Sequence, residues 1–222
     1  MKLFLIAIIL AVLPSAAGAA PEDAQQWSTL SVSAKLSPHW SVSGEVQARL
    51  TDDLSRVGTT VERVSLGYRA SERLTLAFGY THNASLPLGR AVTLENNLFQ
   101  QVNWTIGKLG HVTVKARTWV EERQFVHFHD TGVRARERLR FELPLRAKGP
   151  VLVLSDEQFF ALNSTDWGAH AGFDQMRNFI GVNLRVAKGV TVEAGYMNRY
   201  LKRNAVADRI DHIVPVTVAI RL

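Results

Sequence analysis

The stretch Trp40–Thr51, WSVSGEVQARLT, alternates between two kinds of side chain from one residue to the next. Trp40 and Val46 belong to the apolar set, whereas Glu45 and Arg49 belong to the polar set. Successive side chains of a β-strand point to opposite faces, so this period of two predicts a strand with one apolar and one polar face. A helix with one apolar side would instead repeat its apolar residues every three or four positions.

The same alternation continues to the last residue of the chain, and no segment after residue 20 has a sustained helical period. Eleven strand-like segments can be counted, and most reach the roughly 9–11 residues that a tilted strand needs to cross a bilayer. Their connections alternate between short, turn-like segments such as Ser37–His39 and longer segments such as Asp52–Thr60 and His82–Thr93. Short turns on one rim and long loops on the other are typical of outer-membrane barrels.

The sequence therefore predicts an all-β fold, a single antiparallel transmembrane β-barrel of about 10–12 strands with short periplasmic turns and longer extracellular loops. Because single-chain bacterial barrels have even strand numbers, we expect ten or twelve strands rather than eleven. The aromatic residues fit a membrane-spanning wall, since Trp40 and Tyr68 lie beside short turns and Tyr80 and Tyr196 near long connections. Two such belts are expected where a barrel wall meets the two membrane surfaces.

The first residues have the composition of an export signal. Lys2 supplies a positive charge, Leu3–Leu13 is an unbroken apolar run, and Ala17-Gly18-Ala19 matches the small-x-small cleavage pattern. The apolar run is too short for a transmembrane helix, which needs about 20 residues. We expect residues 1–19 to be a cleaved signal peptide and residues 20–222 to form the barrel domain in the outer membrane.

Composition narrows the expected partners. The chain has 26 basic and 20 acidic residues, and the two kinds are interspersed, so an exported protein of this type is not expected to bind nucleic acid. The expected partners are membrane lipids and lipopolysaccharide, the outer-membrane assembly machinery and small anionic solutes. The chain has no cysteine, and His127-Phe128-His129-Asp130 offers too few ligands for a metal site, so neither a cofactor nor a metal is expected.

A ladder of arginines marks one segment of the predicted wall, at Arg134, Arg136, Arg138 and Arg140. The spacing of two places these side chains on one face, and that face must be the lumen because an arginine at the lipid midplane costs about 2–4 kcal/mol. Carboxylates on the polar faces of other strands are the predicted partners, with Glu45 and Glu193 the main candidates. The ladder predicts either a salt-bridged plug in a narrow, closed barrel or the lining of an anion-attracting pore. The leading functional hypothesis is therefore a structural barrel or a narrow channel with an arginine-lined lumen.

An enzymatic alternative rests on three residues near the ends of predicted strands. Ser155, Asp156 and His212 could form a serine, histidine and carboxylate site at the membrane rim, as a lipid A or phospholipid hydrolase would need. The sequence has neither a nucleophile elbow nor a glycine-rich phosphate loop. A non-enzymatic role is therefore favoured.

Several short segments, in this order and spacing, resemble one known family. They are Ala48–Arg56, Leu66–Arg69, Glu95–Gln101, Ser155–Phe160, Asp166–Gly168, Gly172–Gln175 and Gly195–Asn198. Together they resemble the uncharacterised outer-membrane-type proteins grouped as domain of unknown function 2490. The resemblance implies a β-barrel of unknown function and supplies no catalytic residues. One departure is the C-terminus, Ile220-Arg221-Leu222, where barrels of this kind usually end in an aromatic residue that the assembly machinery reads.

Overall fold

A computed structural model describes residues 21–222, which form one closed barrel of eleven strands. The strands are β1 (Glu22–Lys35), β2 (Trp40–Thr51), β3 (Arg56–Arg69), β4 (Leu74–Ser85), β5 (Thr93–Leu109), β6 (Val112–Phe125), β7 (Thr131–Pro144), β8 (Val151–Ala161), β9 (Gly172–Ala187), β10 (Val190–Leu201) and β11 (Arg209–Arg221). The expected signal peptide lies outside the described residues. In the part of the chain that the structure describes, no helix is both long enough and apolar enough to cross a membrane.

The predicted barrel is confirmed, but the expectation of ten or twelve strands is wrong. Antiparallel neighbours alternate in direction, so the first and last members of an odd set run the same way. β1 and β11 accordingly close the barrel as a parallel pair, from Glu22 opposite Ile210 to Ser33 opposite Arg221. All other neighbouring pairs are antiparallel. This parallel seam is the one place where the wall departs from the predicted antiparallel order.

The two rims differ in the length of their connections. One rim, called the turn rim here, carries residues 36–39, 70–73, 110–111, 145–150 and 188–189. The opposite rim, the loop rim, carries residues 52–55, 86–92, 126–130, 162–171 and 202–208. The three longest connections, 86–92, 162–171 and 202–208, are all on the loop rim, as the sequence predicted, but the turn-rim connection 145–150 is longer than 52–55 and 126–130.

One loop-rim connection is shorter than expected. The segment predicted at Asp52–Thr60 is a tight turn, because β3 already begins at Arg56. Asp52, Asp53 and Leu54 in this turn have left-handed φ angles of 52°, 53° and 67°. Aspartate tolerates this conformation better than most residues. The backbone N–H of Asp53 also donates to Asp23 Oδ1 at 2.9 Å, which fastens the turn to β1.

The apolar faces of the strands form the outside of the barrel. Large apolar side chains are exposed there on nine of the eleven strands, all except β6 and β7, at Val46, Val64, Phe78, Leu98, Leu154, Ile180, Val182 and Val214 among others. Val46 is 53% exposed, while its neighbours Glu45 and Gln47 line a cavity inside the barrel. An exposed apolar surface this large is typical of a protein that contacts a nonpolar environment or a partner.

The outer wall also carries charged residues, at Glu62 of β3, Glu122 of β6, Glu137 of β7 and Asp156 of β8. Glu137 and Asp156 occupy central positions of their strands and alternate with the lumen-lining Arg138 and Glu157. Neighbouring groups satisfy part of their hydrogen-bonding capacity. Thr118 Oγ1 donates to Glu137 at 3.0 Å, and Gln158 Nε2 donates to both carboxylate oxygens of Asp156 at 2.9 and 3.0 Å.

Candidate functional site in the barrel lumen

The arginine ladder projects into the lumen, where three of its four members meet carboxylates. Arg134 Nε donates to Glu121 at 2.5 Å, and Arg134 Nη1 donates to Asp174 at 3.0 Å. Arg136 bonds Glu157 at 2.9 and 3.1 Å through two nitrogens. Arg140 holds Glu193 with both terminal nitrogens, at 2.9 and 2.5 Å, and donates to Glu142 at 2.8 Å. These are charge-assisted, partly bidentate bonds, the strongest class of hydrogen bond in proteins.

Arg138 differs from the rest of the ladder. The sequence predicted that carboxylates of other strands neutralise it, yet among residues 21–222 it has no carboxylate within salt-bridge distance. Glu157 lies directly across from it in β8, but that carboxylate is already held by Arg117 at 2.6 Å and by Arg136. One acidic group thus serves two other arginines and leaves Arg138 uncompensated. Of the two predicted partners, Glu193 meets Arg140 of the ladder, whereas Glu45 pairs with Arg63 of β3 at 2.6 Å.

An alternating layer of aromatic rings and guanidinium groups crosses the middle of the lumen. Arg136 Cζ lies 4.3 Å from the ring centroid of Trp119 and 4.5 Å from that of Phe159. Arg177 Cζ lies 4.5 Å from the Phe159 centroid and 5.1 Å from that of Trp27. Arg49 Cζ also lies over the Trp27 ring, 3.9 Å from its centroid. We call these six side chains the cation–π layer; each desolvated contact of this type contributes about 2 kcal/mol.

Sequence reasoning missed the aromatic members of this layer. Trp27, Trp119 and Phe159 occupy the polar, lumenal face of their strands, where a buried aromatic side chain interrupts the pattern. This interruption could have identified these residues from the sequence, because large aromatic side chains are not expected among the charged residues of a lumenal face. Which arginine each ring would contact depends on distances across the lumen, and the order of residues in a strand does not contain them.

The space inside the barrel is divided on either side of the cation–π layer. Toward the turn rim lies a cavity of about 300 Å³, here called the turn-side chamber. Its charged lining consists of Glu45, Glu157 and Glu193 with Arg49, Arg63, Arg117, Arg136, Arg138, Arg140 and Arg177. Toward the loop rim lies a cavity of about 250 Å³, lined by both arginines and carboxylates, including Glu95 and Glu121. Both cavities therefore have a net positive lining, and Arg138 lines only the turn-side chamber.

A second charged cluster holds the parallel seam together near the loop rim. Asp211 of β11 is 0% exposed and forms ion pairs with Arg199 of β10 and Arg209 of β11. Arg209 also reaches across the seam to Asp23 of β1 at 2.6 Å. The side chain of Asp23 further accepts from Thr51 Oγ1 of β2 at 2.7 Å. Four strands around the seam are thus connected through one network.

The three residues of the predicted hydrolase site do not share a face. Ser155 lines the turn-side chamber, whereas Asp156, the next residue of the same strand, points to the outside. His212 also lies on the outer wall, where its Nδ1 is 2.6 Å from Tyr196 Oη and its Nε2 is 3.6 Å from Glu22 Oε2. The structure therefore does not bring a serine, a histidine and a carboxylate together at these positions.

The histidine-containing loop at residues 126–130 is held by its neighbour. The Asp166 carboxylate accepts from the backbone N–H of His129 at 2.9 Å and of Asp130 at 3.3 Å, and Asp130 Oδ2 accepts from the backbone N–H of Asp166 at 2.8 Å. The bond from the His129 backbone is the main reason that the pKa of Asp166 lies below its ordinary value. Within the part of the chain that is described, no group of three or more histidine, cysteine or acidic side chains is placed to hold a metal ion.

Comparisons with known proteins extend these observations. The chain is 34% identical to an uncharacterised protein of Methylorubrum extorquens, over 99% of its own length and 97% of that protein. It aligns with the crystal structure of the siderophore receptor PirA from Pseudomonas aeruginosa at 15% identity and a TM-score of 0.30, covering 75% of this chain and 32% of the receptor. That structural likeness is too low to carry an argument. Residues 24–210 match the family described as protein of unknown function (DUF2490), and the chain therefore belongs to the DUF2490 family.

Proposed function

We propose that this protein is an outer-membrane barrel with a closed, highly charged lumen, and not an open pore. The placement in a membrane is supported by the apolar outer wall and by exposed aromatic residues toward both rims. Trp40 and Tyr68 form one contact near the turn rim, with ring centroids 4.9 Å apart. Tyr80 and Tyr196 are exposed on the half of the wall nearer the loop rim.

The cation–π layer is the observation that carries the closed state. An eight-stranded barrel has an interior that side chains can fill, whereas barrels of 16 or more strands leave an aqueous channel. Eleven strands lie between these limits, so closure depends on long side chains that reach from opposite walls. Trp27 of β1, Trp119 of β6 and Phe159 of β8 supply that reach, with guanidinium groups between them.

Two measurements test this proposal. The protein expressed with its own N-terminus should fractionate with outer membranes and migrate faster unheated than boiled in detergent gels. In planar bilayers the purified protein should give no steady conductance. Removal of two rings from the layer, by Trp119→Ala together with Phe159→Ala, should produce measurable conductance, since only one of the three rings, Trp27, then remains.

The matched control removes a tryptophan from the outer wall. Trp40→Ala deletes the same kind of ring outside the lumen, so this variant should give no conductance in planar bilayers. Recovery of the wild type as a soluble periplasmic protein would refute the placement in the membrane. A steady open channel formed by the wild type would refute the closed lumen.

A further inference from the structure

The turn-side chamber has an imbalance of charge that its own side chains do not correct. Seven arginines and three glutamates line it. The glutamates are each engaged: Glu45 by Arg63, Glu157 by Arg117 and Arg136, and Glu193 by Arg140. The three remaining arginines, at positions 49, 138 and 177, have no carboxylate within salt-bridge distance among residues 21–222. The lining thus leaves three uncompensated positive charges at the chamber; Arg49 and Arg177 lie between it and the loop-rim cavity, and Arg138 lines the chamber alone.

The surroundings of Arg49 and Arg177 keep these two arginines in place without neutralising them. Arg49 Nε donates to the neutral amide oxygen of Gln47 at 2.6 Å, and its guanidinium lies over Trp27. Arg177 lies against the rings of Trp27 and Phe159, and its buried Nε has no hydrogen-bond partner within the protein. Contacts with aromatic rings orient a guanidinium and stabilise it in part, but they leave its outward N–H groups free to bind an anion.

We infer that the turn-side chamber binds a compact, phosphate-type oxyanion between Arg49, Arg138 and Arg177. Confined like charges in a low-dielectric space repel strongly unless a counter-ion is present. Arginine is also the side chain best suited to phosphate-type oxygens, which it can bind through two parallel N–H groups. The inference goes beyond the proposed function, because a closed barrel can bind an anion without conducting it.

The geometry favours a tetrahedral oxyanion over a planar carboxylate. The three arginines belong to β2, β7 and β9, so they approach the chamber from separate parts of the wall. A tetrahedral group presents oxygens in several directions, whereas a carboxylate presents two in one plane. Hydroxyl groups of Thr29, Ser155 and Thr217 also line the chamber and add neutral donors. A volume of about 300 Å³ admits such an ion together with water.

The test uses the full-length protein, folded in detergent, with inorganic phosphate as the probe. Calorimetric titration and thermal unfolding are measured in phosphate and in chloride at matched ionic strength. The wild type should bind phosphate and unfold at a higher temperature in its presence. Arg138→Gln should weaken binding by about ten- to hundredfold, the effect of removing a hydrogen bond to a charged group.

A second readout separates a binding site from a structural role. In phosphate-free buffer of low ionic strength, Arg138→Gln should be at least as stable as the wild type, because it removes an uncompensated charge and breaks no ion pair. Arg49→Gln should weaken phosphate binding in the same direction, and it stands in if the first variant fails to fold. The control Arg146→Gln makes the same change of net charge in an exposed turn and should bind phosphate like the wild type.

The results that would overturn the inference are equally specific. Binding of phosphate no tighter than chloride would show general screening, and unchanged binding in both lumenal variants would place the anion elsewhere. Glycerol phosphate provides a further arm: tighter binding than inorganic phosphate would identify a headgroup-type ligand, while the opposite order would identify the free ion. Bilayer conductance is scored separately, so an open channel would refute the closed lumen and leave the binding result intact.

Discussion

Substitution of Asp211 by asparagine tests whether the charged network at the parallel seam holds the barrel closed. Asp211 is fully buried and accepts from Arg199 and Arg209. Arg209 keeps its ion pair with Asp23 when Asp211 loses its charge, so part of the contact between β1 and β11 remains. Arg199 retains only a long hydrogen bond to Gln25, at 3.5 Å. The substitution therefore leaves one largely uncompensated guanidinium inside the barrel.

The expected cost follows from that orphaned charge. Breaking a buried ion pair by removing one partner typically destabilises a protein by about 3–5 kcal/mol. Because Arg199 lines water-accessible cavities near the loop rim, we expect the lower end, about 3 kcal/mol. The matched control is Asp52→Asn, which breaks an exposed pair with Arg56 whose side-chain exposures are 28% and 48%. Such surface pairs contribute no more than about 1 kcal/mol.

Urea unfolding of both variants in detergent, followed by tryptophan fluorescence, measures the difference directly. Trp27 lies two residues from Gln25 on the same face of β1, so its emission reports on the seam. Loss of the fast-migrating unheated form at a lower temperature gives an independent readout. Equal destabilisation by Asp211→Asn and Asp52→Asn would refute the claim that the seam depends on its buried network.

Three further predictions concern the wall, the loops and the layer. Val192→Arg should destabilise the barrel in lipid vesicles by about 2–4 kcal/mol, because its outward neighbours Leu184 and Val218 are apolar, whereas Val192→Leu should be nearly neutral; equal effects would show that this face does not contact lipid. The contact between loops 126–130 and 162–171 should weaken in acid, because the pKa of Asp166 in the folded protein lies below its ordinary value of 3.8. The charged carboxylate stabilises the contact fully above pH 3.8, and this stabilisation is lost as the pH falls through the pKa of the folded protein. Amide exchange at His129 should then accelerate in the wild type, and a flat pH profile, like that expected for Asp166→Asn, would contradict this. Trp119→Phe should retain the closed lumen, since a ring remains in the layer, and conductance from this variant would show that the indole itself is required.

Period-two alternation was sufficient to predict most of the wall. The segment Trp40–Thr51 was predicted as a strand and is β2 with the same bounds. The first half of β1 was harder, because Asp23 and Gln25 face inward while Gln26 and Ser28 face outward. Because both faces carry polar residues, this segment shows no alternation between apolar and polar side chains from which a strand could be predicted. The parallel closure was missed for a different reason: eleven segments were counted, but the even strand number of single-chain bacterial barrels led to the expectation of ten or twelve.

The lumen was predictable in outline and not in its pairings. Four arginines spaced by two must share a face, and that face is the lumen. Which carboxylate meets which arginine depends on the stagger of strands around the barrel, which one chain segment does not specify. Glu157 illustrates the difficulty: it lies opposite Arg138 in the ladder yet bonds Arg136 and Arg117.

Some lumenal arginines have carboxylate partners and others have none, and this difference suggests a reason for the charged lumen. A barrel interior built only for stability would do as well with apolar side chains, since buried ion pairs seldom stabilise more than hydrophobic packing of the same volume. A balanced network would at least have no net cost from repulsion. Here Arg138 and Arg177 remain without carboxylates beside three engaged glutamates, so the arrangement sacrifices stability in one small chamber. Departures of this kind from local optimality are concentrated at functional sites, and an anion is the one type of ligand that would remove this particular cost. The stability of the purified barrel should consequently depend on which anion is present, more strongly than on the ionic strength.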